Sequence, residues 1–339
     1  MQHGMVMANG TSLHMVEVGR GAPLLLLHGW PEFWLTWEPV MARLADRFTL
    51  LAPDLRGFGD SDKPDGPFGP DQHAADMLAL LDALGLRQVG MVGHDVGGAL
   101  MQPLARKTPE RFCGLFFFEF VYPGIGARMA EPERLNNIWY QSFNQLEMAP
   151  RLVGASRESC RTYIGYFLKH WAHRKDAFDD VLEAFTDNFL KPGNLAGGFA
   201  HYRAAHEGRI RMMKGEAPKL APIQVPTCVR WAEHDPLFPF PGPTGWPKPS
   251  PASILPCFRA WDTFRIARIP IAQQPKSPRF SNASAGAEGA MLNKSGTARR
   301  DKNQRSRVAS LKLWPASPVS VSDGLTVATG SESATQSRF

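Results

Sequence analysis

The chemistry that this chain could carry centres on one short segment, Gly93-His94-Asp95-Val96-Gly97-Gly98. An apolar run (residues 89–93) leads into it, and a stretch with helical spacing (97–106) leaves it. A strand, a glycine-flanked turn and a helix make an elbow that holds one side chain at the tip of a strained turn. Here that side chain is the carboxylate of Asp95. An aspartate ahead of a helix can also be a plain cap. Three further segments favour a reactive role. Leu27-His28-Gly29-Trp30-Pro31 follows the apolar run 23–27, where backbone donors for an oxyanion would sit. Asp54-Leu55-Arg56-Gly57-Phe58-Gly59-Asp60-Ser61 follows the run 48–53, and Trp231-Ala232-Glu233-His234-Asp235-Pro236 supplies a second acid after the run 226–231. A carboxylate nucleophile attacks saturated carbon, opening an epoxide or displacing a halide, and leaves an alkyl–enzyme ester. A histidine-activated water then attacks that ester while backbone amides hold the charge. Aspartate in place of serine disfavours an esterase or lipase.

These groups need a scaffold, and the hydrophobic pattern supplies one. Residues 13–18 alternate weakly, as an edge strand would, and 23–27, 48–53, 89–93 and 113–120 read as buried strands. Helical spacing over 37–45, 71–84 and 97–106 alternates with them, which predicts a mostly parallel, doubly wound α/β sheet covered on both faces. From 122 to 219 the chain reads as mostly helical, including 157–172 and 176–190, before the strand at 226–231. A helical insertion between two strands predicts a lid. The expected divisions are a core over 1–121, a helical cap over 122–222, a return to the core over 223–240 and a separate tail over 241–339.

The chain has 339 residues, 43% hydrophobic and 21% charged, as a globular protein should. No apolar run is long enough to span a membrane, and residues 1–10 lack signal-peptide features. Four scattered cysteines (Cys113, Cys160, Cys228, Cys257) fit neither a zinc site nor a disulfide framework, so the expected location is the cytoplasm. The net charge of +6 is uneven: residues 241–339 hold 14 Lys and Arg against 5 Asp and Glu. That stretch also has 14 serines and 11 prolines without sustained periodicity, a disorder-like composition. It lacks the interleaved aromatics of a nucleic-acid binder.

HGWPE, DLRGFGDSD, GHDVGG and the late acid, in that order, resemble the α/β-hydrolase family, and within it the epoxide hydrolase branch, over residues 10–238. The resemblance implies Asp95 as nucleophile, with the backbone N–H groups of Trp30 and Val96 as the oxyanion hole. Trp139-Tyr140-Gln141 and His201-Tyr202-Arg203-Ala204 resemble the lid segments that supply epoxide-binding tyrosines, which makes Tyr140 and Tyr202 the expected acids. Asp235 would orient the catalytic histidine, with Glu119 as the alternative acid. His28 and His94 read as structural, and Asp60 and Ser61 as loop stabilisers. Neither a metal nor an organic cofactor is implied. The expected partner is a small epoxide or organohalide, not nucleic acid or membrane, and a homodimer is left open. A dehalogenase with the same nucleophile is the alternative activity; an inactive product or ligand-binding pseudoenzyme is the alternative class.

In chain order the base should follow the acid, yet there is no histidine beyond His234. Reading residues 260–268 from the third base of each codon gives a forced glycine codon across Trp261 and Asp262, then a codon ending in AC across Asp262 and Thr263. Suitable third bases spell VGHFPHRE, like the family's histidine loop. The expectation is a frameshift that removes the catalytic histidine and the last strand and helices of the fold.

Overall fold

In chain order the strands are β1 (Gln2–Ala8), β2 (Thr11–Gly19), β3 (Ala22–Leu27), β4 (Phe48–Pro53), β5 (Val89–His94), β6 (Phe112–Phe118) and β7 (Thr227–Arg230). They form one sheet in the order β1-β2-β4-β3-β5-β6-β7, as seen in a computed structural model that describes residues 1–122, 131–216, 218–232 and 234–237. The β1–β2 and β2–β4 pairings are antiparallel and all the others parallel. The expected tail over 241–339, its proposed shifted frame and Cys257 lie outside the described residues.

The sequence reads β2 as an edge strand, whereas the structure places β1 outside it. Asn9 and Gly10, both at positive φ (49° and 71°), make the two-residue turn between them. Asn-Gly is a hairpin signal because its left-handed turn matches strand twist. The strand alternation of β2 is weak because it has neighbours on both sides, with Leu13, His14, Met15 and Val16 all buried.

β3 is the spine of the core. Leu24 and Leu26 point to one face, against Met41 and Leu44 of α1 (Glu38–Leu44). Leu25 and Leu27 point to the other, against Met77 and Leu80 of α2 (Pro70–Ala83) and Leu100 and Leu104 of α3 (Asp95–Lys107). All four leucines are within 1% of complete burial, each contributing about 1.5–3 kcal/mol. β4 flanks β3 on one side and β5 on the other, so the chain order reverses at β3. The loops leaving the carboxyl ends of β3 and β5 diverge there and open a crevice.

Between β6 and β7 the described chain is helical: α4 (Trp139–Phe143), α5 (Ala149–Val153), α6 (Arg157–Trp171), α7 (Leu182–Leu190), α8 (Asn194–Ala204) and α9 (His206–Met213). Ser156 caps α6 by accepting the Ser159 N–H at 3.0 Å. The helix expected from residue 176 begins only at Leu182. Ala177, Asp179 and Val181 instead donate to carbonyls three residues back, closing single turns that do not propagate. α8 seats directly on the loop after β4, where a Cβ on Gly197 would lie 2.1 Å from the Gly57 carbonyl oxygen. No described helix is long and apolar enough to cross a membrane.

The loop after β4 is held by its own polar groups. Asp54 is fully buried; its Oδ1 accepts the Trp34 N–H (2.8 Å), while Oδ2 accepts the Asp60 N–H (2.9 Å) and contacts His14 Nδ1 (2.8 Å). Ser61 Oγ donates to the Asp54 carbonyl at 2.6 Å and accepts the His14 N–H at 2.9 Å. Arg56 forks onto Asp76 with contacts of 2.7 and 2.6 Å, a buried pair that ties this loop to α2. Ser61 is thus the loop stabiliser that its position suggests. Asp60 adds its backbone N–H, and its carboxylate reaches Lys191 at 2.5 Å.

Candidate active site

Asp95 sits where β5 turns into α3, at φ 48°. A non-glycine residue in this region is strained and must be held by its surroundings. The holding contacts are backbone ones: Asp95 N–H donates to the Glu119 carbonyl (3.1 Å), and Gly97 N–H to the His28 carbonyl (3.1 Å). Glycine is needed at the close approaches. A Cβ on Gly97 would lie 2.2 Å from the Leu27 carbonyl oxygen, and one on Gly29 would lie 2.6 Å from the Asp95 Cβ.

The loop after β3 lies against this elbow. Trp30 N–H donates to Asp95 Oδ1 at 2.8 Å. No described residue hydrogen-bonds Asp95 Oδ2. His28 is buried, accepts the Leu55 N–H on Nε2 (3.0 Å) and contacts the Gly29 carbonyl through Nδ1 (2.9 Å). Burial lowers its pKa, and the neutral ring suits those two contacts. His94 does more than brace its own turn. Its Nε2 lies 2.6 Å from Glu32 Oε2, and Glu32 also takes the Gly29 N–H and the Thr36 hydroxyl. Burial disfavours the imidazolium, but the Glu32 charge and hydrogen bond outweigh it and carry His94 up to about 9. This ion pair clasps the loop bearing the Trp30 amide to the elbow bearing Asp95. Glu32 was not singled out from sequence, although it is the last letter of HGWPE.

Trp30, Asp95, Glu119, Tyr140, Tyr202 and Asp235 all line one cavity of about 650 Å³. Val96 follows Asp95 into α3 and is buried outside that lining. The tyrosines come from α4 and α8 and are held by the Trp30 indole. Tyr140 stacks on it with centroids 5.6 Å apart, and Tyr202 meets it edge-on at 5.4 Å. Such pairs contribute about 0.5–1.5 kcal/mol each and fix ring orientation. Burial, followed by the charge of Asp95, raises the Tyr140 phenol. Burial, Tyr140 and Asp95 do the same to Tyr202. Both therefore face the cavity as protonated donors.

The two candidate acids line the same cavity. Both Asp235 oxygens accept hydrogen bonds, Oδ2 from Trp231 Nε1 and Oδ1 from the Leu237 N–H, each at 2.8 Å. Glu119, at φ 24°, accepts the Ala232 N–H at 2.6 Å, and burial pushes its carboxyl up to about 7. His234 stacks on His173 with ring centroids 4.2 Å apart. Among the cavity residues without a role assigned from sequence are His201, Gln141 and Arg209. His201 and Gln141 are immediate neighbours of the two tyrosines; Arg209 has no local signal.

The family model of the alpha/beta hydrolase fold matches residues 22–240. The chain belongs to the α/β-hydrolase family. Within it the chain is similar to epoxide hydrolases. The soluble epoxide hydrolase of Corynebacterium sp. (strain C12) is 34% identical over 209 residues, 59% of this chain and 71% of that protein. Epoxide hydrolase 4 of Mus musculus is 29% identical over 242 residues, 67% of this chain, which spans 64% of that relative's length. The solved structure of the epoxide hydrolase CorEH superposes with a TM-score of 0.59 at 26% identity, covering 68% of this chain and 81% of that one. The mostly parallel seven-stranded sheet with its helices has the alpha/beta hydrolase fold.

Proposed function

We propose that this α/β hydrolase opens small epoxides through an ester on Asp95. The observation that carries the reading is the Asp95 carboxylate itself. Its Oδ1 is held by an amide, its Oδ2 is left without a hydrogen bond from the described residues, and Asp95 lines the same cavity as two protonated phenols. Oδ2 attacks the less hindered ring carbon as the carbon–oxygen bond breaks, and a phenol gives its proton to the departing oxygen. The Trp30 and Val96 amides then stabilise the oxyanion formed on Oδ1 when water attacks the ester. In this reading the helices over 122–222 form a cap over a core built from 1–121 and 223–240, and Asp235 is the orienting acid with Glu119 as its alternative.

Ester hydrolysis lacks its usual base, because no histidine follows His234. Ring opening therefore outruns deacylation, a difference of roughly 10²–10⁴-fold for lost general-base assistance. Incubation with a reactive aryl epoxide should add its mass to the Asp95 peptide, with at most one slow turnover. Labelling elsewhere, or equal labelling of Asp95→Asn, would remove the assignment; steady diol production would remove the stalled second step. Resequencing the coding DNA through the codons for Pro239 to Pro241 tests the shifted reading frame.

A second reading draws on Trp30 Nε1 and Trp171 Nε1, which are buried without a hydrogen-bond partner among the described residues. Two spare indole donors suit a departing halide. Release of bromide from a bromoalkane, faster than epoxide labelling, would favour this dehalogenase activity.

A further inference from the structure

Resting on the epoxide reading, we infer that the two phenols are not equivalent: Tyr140 is the one that gives up its proton, and Gln141 and Arg209 tune it to do so. A directed chain of donors ends on its oxygen. Arg209 Nη1 donates to Gln141 Oε1 at 2.8 Å, and Gln141 Nε2 donates to the Tyr140 hydroxyl oxygen at 3.3 Å. Tyr140 and Gln141 are buried, and Arg209 reaches the same cavity from α9. The Gln141 backbone is fixed in turn, since its carbonyl accepts Gln145 Nε2 at 2.6 Å.

The direction of this chain matters chemically. A phenol oxygen that accepts a hydrogen bond has its own O–H free for the oxirane. When the ring opens, the proton passes to the oxirane oxygen and Tyr140 is left as a phenolate. Negative charge then develops where the Gln141 N–H points, and the guanidinium behind polarises that amide further. The relay is stronger in the transition state than in the ground state, which is the condition for raising a rate. In the resting protein, the Gln141 bond and the Arg209 charge already oppose the burial and anionic neighbours that hold the phenol high. The backing of Tyr202 is weaker: burial, Tyr140, Asp95 and Tyr163 each raise its phenol by more than the Asn144 amide lowers it, and the Oδ1 of that amide accepts the Tyr163 hydroxyl. Gln141 and Arg209 are thus positioning residues, and Tyr202 steadies the oxirane without surrendering its proton.

The test is Gln141→Glu in the full chain, a near-isosteric change that keeps an acceptor for Arg209 and deletes the donor to Tyr140. Two readouts are taken. The first is the single-turnover rate of Asp95 labelling by an aryl epoxide, expected to fall roughly 10-fold, the scale of one hydrogen bond to a charged group. The second is the ¹⁹F titration of protein grown on 3-fluorotyrosine, with resonances assigned by Tyr140→Phe and Tyr202→Phe. The residue-140 midpoint should rise in Gln141→Glu and, by less, in Arg209→Gln, and in each variant that of residue 202 should move less than that of residue 140. An unchanged midpoint, or an unchanged rate in a chain whose wild type is labelled, overturns the relay. A wild type that takes no label at Asp95 overturns the acid role together with the epoxide reading, and is recognised because the midpoint shift does not depend on reaction.

Discussion

Asp54 and Asp95 are two aspartates at the ends of strands that flank β3, both in glycine-rich turns. Asp54 is fully buried, with three polar contacts shared between its two oxygens. Asp95 is half-buried, stands at positive φ and has one described contact, the Trp30 amide on Oδ1. Both oxygens of one carboxylate are engaged by the fold, while the other carboxylate has one oxygen without a hydrogen bond from the described residues, which in the proposed mechanism meets the electrophile. The lesson is that motif letters alone do not separate a clamp from a reagent; the tally of lone pairs already committed does.

Substitutions can break this contrast. Asp95→Asn should lose covalent labelling by a factor of about 10³ or more, since an amide is not a competent nucleophile at carbon. Its urea midpoint should move little, because a neutral amide in that strained, half-buried site still accepts the Trp30 N–H. Asp54→Asn should do the reverse. Removing a buried charge from the His14, Trp34 and Asp60 contacts should cost about 3–5 kcal/mol in urea unfolding. If both variants lose stability equally, the distinction between clamp and reagent fails.

Gly97→Ala comes next in size. The added methyl group would meet the Leu27 carbonyl at 2.2 Å, within hydrogen-bonded backbone that cannot give way easily. A cost of about 1–3 kcal/mol is expected from overpacking, with the elbow displaced and labelling slowed. A thermal melt matching the wild type would show that α3 can shift off β3 freely.

The smallest effect is in the pH profile. His94 is carried from 6.5 to about 9 in the fold, so its contribution is complete below 6.5 and fades as the pH rises through 9. Glu32 is lowered from 4.5; burial opposes this, but His94 outweighs it, so its contribution fades as the pH falls below 4.5. The urea midpoint should therefore be highest between these limits. Glu32→Gln should flatten the alkaline limb, and an unchanged limb would show that the clasp is weak.

Much of the scaffold was legible because it rests on local pattern. The apolar runs of β3, β4 and β5 and the glycine spacing around Asp95 are read directly from adjacent residues. The two tyrosines were picked out by the resemblance of the short segments around them to lid segments, and both line the cavity. What escaped was either one-sided or non-local. β1 buries only Val6 and Ala8 and mixes in exposed methionines, so its alternation is faint. Asn9-Gly10 was the overlooked signal. The Glu32–His94 pair joins two motifs that lie 62 positions apart, and Arg209 reaches Gln141 across 68 residues. No window of sequence contains such contacts. The 176–190 helix was overextended because its apolar residues also suit the successive single turns before Leu182.

The meeting of Gly57 and Gly197 is also a lever. Gly197 stands five residues before Tyr202 on the same helix, about 7.5 Å along its axis. A side chain at Gly197 must pry α8 away from the loop after β4, and the displacement is passed down a stiff rod to the phenol. The distance between Tyr202 and Asp95 is therefore geared to a contact between two residues that lack side chains of their own. A graded series at residue 197, from Ala to Ser to Val, would work as a calibrated jack beneath the cavity. It would widen the substrate space stepwise without altering a single reacting group.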